Sequence, residues 1–532
     1  MEIPKFDFLW QYVKYWAEKD PEFPLIKFKW KKLNAREFKN KVNHLAEALI
    51  DMGVKKGDRI VTILPMILEY VLIYIASISI GAICTPMDVR FRPADYRRFI
   101  KHTGPKVIFL IGKARGYNIA KTIKELSSEF NPTINYRIVG RDEFGDPFED
   151  LFEKTYNLSA ELEKTRLKLN PNDGALIIFT GGTTGVPKAA LLSQRNIANA
   201  SYLESTYIGE RLESIGVKPR FKFLVNLPPS HVGGSVEILA TGLAGGNELI
   251  LQEQWNPYAV LRATQKMKIP IIGGVPTMFA IILSLPDLDN LDLSSLKIAV
   301  VSGEKLSMEL LTGMKERICS SILNAYGSTE SGPEVTFTEI GDPLEKLAKG
   351  YIGKLLPGQE IKIVDEKDNQ VPPGEQGEML IRGSLTIPGY YNMSEENKAT
   401  FTDDGWCRSG DLGYMTEDGE LYIKGRKKFI IRVGSYTVLP SEVEDIVVKH
   451  PKVSMVAAVG IPDKIYGEII WLAVVLEKGQ EIEENEIIAL CKKELADFKV
   501  PKRVIIENEI PITRLGKIDR PTLQKKIIQS LE

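Results

Sequence analysis

Thr180-Gly181-Gly182-Thr183-Thr184-Gly185-Val186-Pro187-Lys188 gathers three glycines, three threonines and a lysine directly behind the apolar run Ala175-Leu176-Ile177-Ile178-Phe179. Glycines let backbone N–H groups approach oxyanions, hydroxyls donate hydrogen bonds, and lysine adds a charge. A strand that empties into such a loop suits the handling of polyphosphate. Lys188 stands three residues after Gly185 rather than next to it, so the loop is not a Walker A sequence. Taken alone it would pass for a flexible surface turn, and three further segments change that balance.

Asn324-Ala325-Tyr326-Gly327-Ser328-Thr329-Glu330 follows a strand-like stretch. It offers an aromatic face for a purine and a carboxylate for Mg²⁺. Gly405-Trp406-Cys407-Arg408-Ser409-Gly410-Asp411 puts a carboxylate behind a glycine turn, where it can accept from both ribose hydroxyls. Pro511-Ile512-Thr513-Arg514-Leu515-Gly516-Lys517 presents a lysine on a glycine-freed backbone near the end of the chain. Each segment alone also fits an ordinary turn.

The elements that must position these groups fall into three textures. From about residue 58 to 326, β-branched runs alternate with helix-length amphipathic segments, the pattern of parallel α/β layers. Residues 350 to 425 read as antiparallel strands with an Asp418-Gly419 hairpin turn. Residues 428–532 read as a separate small α+β domain, with Ser441-Glu442-Val443-Glu444 as the capping box of its first helix. The expected division is therefore 1–427 and 428–532.

A chain of 532 residues is too long for one core. Its net charge of −1 implies no broad basic surface for nucleic acid. Cys84, Cys319, Cys407 and Cys491 lack CxxC spacing, which disfavours a structural zinc or a disulfide framework and fits a reducing, cytoplasmic setting. Met1 to Lys5 lacks a signal-peptide layout, and the apolar run Tyr70–Cys84 is shorter than a membrane span and reads as a buried helix. No GxSxG or GxGxxG occurs, against a serine hydrolase or NAD enzyme.

Five motifs stand in order: 180–188, 326–330, 410–411, Gly425-Arg426 and Gly516-Lys517. Together they resemble the adenylate-forming superfamily: acyl-CoA synthetases, adenylation domains of nonribosomal peptide synthetases and beetle luciferases. The resemblance covers nearly the whole chain. It implies a large N-terminal domain of two doubly wound α/β subdomains plus a small β-barrel, followed by a mobile α+β domain. It also implies the reaction. ATP and a carboxylic acid, with a medium- or long-chain fatty acid leading, give acyl-AMP and pyrophosphate, and CoA then displaces AMP. Delivery to a carrier protein and a silent adenylate-binding protein are the alternatives.

By that resemblance Thr180, Gly181, Gly182, Thr183, Thr184, Gly185 and Lys188 hold the β- and γ-phosphates. Glu330, beside Thr329 and with Thr180, holds Mg²⁺. Tyr326 stacks on adenine, with Gly303, Glu304, Asn324 and Gly327 around the base, and Asp411 and Arg426 bind the ribose. Lys517 bridges the substrate carboxylate and the α-phosphate. His231 lies beside the acyl pocket, where Gly233, Gly234 and Gly303 are expected to leave room for an apolar or aryl group. Lys428 marks the hinge, where many relatives have Asp. The hairpin at Gly434 and Ser435 lines a thiol tunnel, with the glycine one residue earlier than in most relatives. The remaining histidines, His44, His102 and His450, read as structural. A homodimer is compatible with the sequence.

Overall fold

The computed structural model describes residues 3–140, 144–180, 187–433, 436–463, 466–495, 497–513 and 516–531. The β-branched runs form parallel strands, as their alternation with helices predicts. Arg59–Ile63 lies between Ile83–Pro86 and Val107–Ile111, and Asn135–Val139 extends the order outward. Gly174–Thr180 pairs parallel to Ile83–Pro86, then turns back antiparallel into Lys188–Ser193, within an eight-stranded sheet. A five-stranded sheet runs parallel through Ile271–Gly274, Ile298–Ser302 and Ser321–Ser328 before Gly332–Phe337 returns antiparallel. Lys222–Val225 and Glu248–Leu251 join the N-terminal hairpin Pro24–Phe28 and Lys31–Asn34 in a further four-stranded sheet.

The longest apolar run becomes the helix Leu68–Ser79, buried along its whole length. Its two serines return their hydroxyls to the Ile73 and Ala76 carbonyls, which removes the cost of burying them. Among the described residues no helix is long and apolar enough to cross a membrane. The antiparallel texture resolves as the four strands Gln359–Val364, Gly377–Gly383, Cys407–Met415 and Leu421–Arg426, with Gly419 at φ +77° in the last connection.

Beyond Arg426 a separate sheet forms around the hairpin Val453–Asp463 and Gly467–Leu476. Arg503–Ile506 pairs parallel on one side and Ile431–Val433 antiparallel near the other end. Two small apolar clusters of its own hold this unit together. The capping box expected at Ser441 is displaced. The helix Pro440–Val447 starts earlier, with Pro at its first turn, and Glu442 accepts the N–H of the cap residue Leu439 at 3.0 Å. Ser441 instead donates to the Lys424 carbonyl at 2.7 Å, and Glu444 accepts from the Ala458 N–H and from Arg520. Both side chains had better partners outside the helix than a cap could offer.

His44 and His102 bond the Leu151 and Tyr391 carbonyls, and His450 meets Glu486. All four cysteines are free and buried.

Candidate active site

The described residues expected to bind or react, from Thr180 to Lys517, line one cavity of about 1930 Å³ between the large and small domains, with Gly233 and Gly234 excepted. Gly181, Gly182, Thr183, Thr184 and Gly185, and the pair Gly434 and Ser435, lie outside the described residues.

The end of the cavity expected to take the phosphates is built by a β-hairpin. Thr180 and Lys188 are register partners at the base of the 181–187 loop, so the hairpin fixes a hydroxyl and an ammonium side by side. Thr180 Oγ1 donates to Glu330 Oε1 at 2.9 Å, and the Tyr390 hydroxyl donates to the same oxygen at 3.1 Å. Lys188 Nζ lies over the Tyr390 ring at 4.8 Å and reaches Thr400 Oγ1 at 3.4 Å. Tyr390 was not among the expected residues. It comes from a two-residue strand, Gly389–Tyr390, pairing with Ala190 and Leu191, too short to announce itself in sequence. Thr329, buried, lines the cavity next to Glu330.

The end expected to take the ribose is a buried carboxylate with two partners. Asp411 and Arg426 are opposite one another across the last antiparallel pair. Arg426 Nε meets Asp411 Oδ1 at 2.7 Å, and the Tyr326 hydroxyl donates to Oδ2 at 2.8 Å. Burial pushes the Asp411 carboxyl up, and Arg426 works against that. Gly327 is required by packing: a Cβ there would sit 2.1 Å from the Pro333 carbonyl oxygen. Asn324 is buried and spends its side-chain amide on the Tyr351 carbonyl at 2.8 Å.

Lys517 sits on a tight hairpin, its N–H on Thr513 Oγ1 at 3.1 Å, and Gly516 at φ +85° makes the turn. Its Nζ and Cε lie 3.3 Å from where a Cβ on Gly303 would be, so the ammonium rests against the backbone of the large domain. Burial lowers the Lys517 pKa, and the charge of Arg426 lowers it further. Burial raises Glu304, which faces Lys517 and Arg520. Lys305 pairs with Asp445 across the domain boundary. Lys428 lies in a short turn, Lys427–Phe429, between the domains.

The end expected to take the acyl group departs most from expectation. His231 donates nothing from Nδ1 but accepts the Gly233 N–H there at 3.1 Å. Burial, with Lys517 nearby, lowers its pKa to about 4, so the ring is neutral at pH 7. Gly233–Ala240 is a π-helix, a wide turn that is rare outside functional sites. The glycines do not open room for an acyl group as expected. A Cβ on Gly234 would strike the Pro228 carbonyl oxygen at 2.1 Å, and one on Gly233 would meet Glu237 Oε2 at 3.1 Å. The space at Gly233 accommodates the Glu237 carboxyl. Glu204 and Glu334 also line this cavity, both buried. The signal for them was an acid inside an otherwise buried segment, the Gly332–Phe337 strand and the inward face of the Gln194–Ser214 helix.

Residues 13–391 match the AMP-binding enzyme family and residues 442–517 the AMP-binding enzyme C-terminal domain. The chain belongs to this family, within the adenylate-forming superfamily. The putative acyl-CoA synthetase YngI of Bacillus subtilis is 29% identical over 514 residues, covering 93% of this chain and 92% of the relative. A long-chain-fatty-acid–CoA ligase of Escherichia coli O6:H1 is 29% identical over 500 residues, 89% of this chain and 86% of the relative. The solved anthranilate CoA ligase AuaEII, in complex with anthranoyl-AMP, has a TM-score of 0.86 at 22% identity, covering 100% of both chains.

Proposed function

We propose that this chain, an AMP-forming acyl-CoA synthetase, joins a carboxylic acid to the α-phosphate of ATP with release of pyrophosphate, then passes the acyl group to CoA with release of AMP. One observation carries the reading. The small domain delivers Lys517 into the cavity that holds Glu330, Asp411 and Arg426. Two anions must meet in the first step, and an ammonium between them lowers that barrier.

Lys517 binds the substrate carboxylate and the α-phosphate oxygen. Thr180, Lys188 and the 181–185 loop hold the outer phosphates. Asp411 accepts from the ribose hydroxyls while Arg426 favours its charged form against burial, and Tyr326 stacks on the base. Glu330, with the Thr180 and Tyr390 hydroxyls on one oxygen, is an all-oxygen donor set that suits Mg²⁺. Bound there, the cation would neutralise phosphate charge. Neutral His231 borders the acyl carboxylate. Lys428 serves as the hinge that exchanges Lys517 for the Gly434–Ser435 hairpin before CoA attacks. Phe223, Leu227, Ile238 and Phe337 give the acyl end apolar walls, which supports an acid of medium- or long-chain fatty outline.

The test is ATP–pyrophosphate exchange over a panel of carboxylic acids, followed by AMP release with and without CoA. Exchange with a subset of acids and CoA-dependent AMP release are expected. Exchange without CoA-dependent thioester would remove the acyl-CoA step.

A further inference from the structure

The acyl end holds three carboxyls where an alkyl chain needs none. Glu204 comes from the helix Gln194–Ser214, Glu237 from the π-helix and Glu334 from the buried strand Gly332–Phe337. All three line the cavity. Among the described residues no lysine or arginine forms an ion pair with any of them. Thr241 donates to Glu204 Oε2 at 2.8 Å, which leaves Glu204 Oε1 buried without a partner. Glu334 Oε2 is likewise buried and unpartnered. So is Oδ1 of Asn226, a neutral side chain 3% exposed at the end of Lys222–Val225, whose amide nitrogen faces the Gly273 carbonyl at 3.5 Å. Two elements of the large domain and an asparagine thus hold buried, unsatisfied acceptors in side chains of residues that line one cavity.

Each orphaned oxygen carries an uncompensated desolvation cost, and such a group calls for a partner that completes it. Burial pushes all three carboxyls up, and repulsion within the group adds to this at Glu204 and Glu334, while Lys517 works against it at Glu237 and Glu334. A hydroxyl would satisfy one acceptor and leave the repulsion. A protonated amine brings three N–H donors and a positive charge, and answers both deficits.

We propose that the carboxylic acid activated here carries a protonated amine along its body, seated among Glu204, Glu237, Glu334 and Asn226. The inference rests on the acyl-CoA synthetase reading above and names the class of acid within it. The amine enters as an ammonium and one carboxyl of the cluster ionises to meet it, its proton leaving to the buffer.

The experiment compares three acids of equal chain length, unsubstituted, hydroxylated and aminated, in pyrophosphate exchange, with the amine walked along the chain. The aminated acid is expected to exceed the unsubstituted one at least tenfold in kcat/KM at its best position. Glu334→Gln should shrink that ratio at least tenfold. Calorimetry on the wild-type enzyme in buffers of different ionisation enthalpy should find a proton released on binding the aminated acid and none with the unsubstituted acid. Preference for the unsubstituted or the hydroxylated acid, or binding of the aminated acid without proton release, would overturn the inference while leaving adenylation intact. Exchange with none of the acids would overturn both readings.

Discussion

On the proposed reading, Lys517 is the residue on which the first half-reaction turns. A positioned donor to developing charge contributes about 3 kcal/mol, so Lys517→Ala should slow pyrophosphate exchange by about a hundredfold or more, with far-ultraviolet dichroism unchanged. Glu237 makes a different prediction. Its pKa rises from 4.5 to about 8 on folding, chiefly through burial, with Lys517 opposing. Glu204 and Glu334 face it and His231 stands near it. Between those values the unfolded chain has given up the proton that the folded chain keeps, so stability declines as pH rises through the window. His231 acts in the other direction: the folded ring refuses the proton that the unfolded chain takes below 6.5, and stability falls as pH falls toward 4. Each pKa unit of difference is worth about 1.4 kcal/mol. Glu237→Gln should therefore gain thermal stability over wild type as pH rises from 4.5 to 8, read as a widening Tm difference. A constant difference would mean that the carboxyl ionises freely.

At the scale of elements, turns decide where the chemistry sits. Gly516 holds a left-handed backbone, and a Cβ there would sit 2.6 Å from Thr277 Oγ1 of the large domain. Strain of about 1–2 kcal/mol and that collision both move Lys517 away from Gly303. Gly516→Ala should lower exchange by tenfold or more, while thioester formation from preformed acyl-AMP is affected much less. The sequence made this hairpin legible through its Gly-Lys pair, and the strands near the phosphates through their β-branched runs. It did not disclose that Thr180 and Lys188 face each other, because strand register is a long-range choice made by the whole sheet. Nor did it disclose Glu204, Glu334 or Tyr390. Their place depends on which elements meet at the cavity, and local pattern carries no record of that. Ser441 misled for a related reason: a capping sequence is a local offer, and the Lys424 carbonyl outbid it.

For the whole molecule, the contact between domains is light. Lys305 and Asp445 are both partly exposed, and the Ser441–Lys424 hydrogen bond, the Ile518 backbone bond to Glu304 and the approaches of Lys517 to Gly303 and of Gly516 to Thr277 are among the contacts that join them. Partly exposed ion pairs contribute about 0–1 kcal/mol. Asp445→Asn should thus slow exchange by no more than about fivefold and leave the rate from preformed acyl-AMP equal or higher, measured by stopped-flow thioester formation. A much larger loss in both steps would mean that the pair supports the fold instead of one domain arrangement. The parallel α/β layers and the small terminal domain were readable from alternation and texture, since burial of long periodic segments leaves little choice, whereas their division into two doubly wound units came from the family resemblance.

The sealed cysteines bear on what an acyl-adenylate meets once formed. Burial pushes Cys319 up to about 12 and Cys491 to about 11, and drives Cys84 and Cys407 higher still. Ellman's reagent should titrate none of the four in the native protein and all of them in guanidinium. A mixed anhydride with AMP reacts with any thiolate it can reach, and Cys407 lies close enough to the phosphate end to feel the charges of Glu330 and Lys188. By keeping its own sulfur protonated and out of solvent, the chain removes the bystanders that would capture its intermediate, and the incoming acceptor arrives without a competitor.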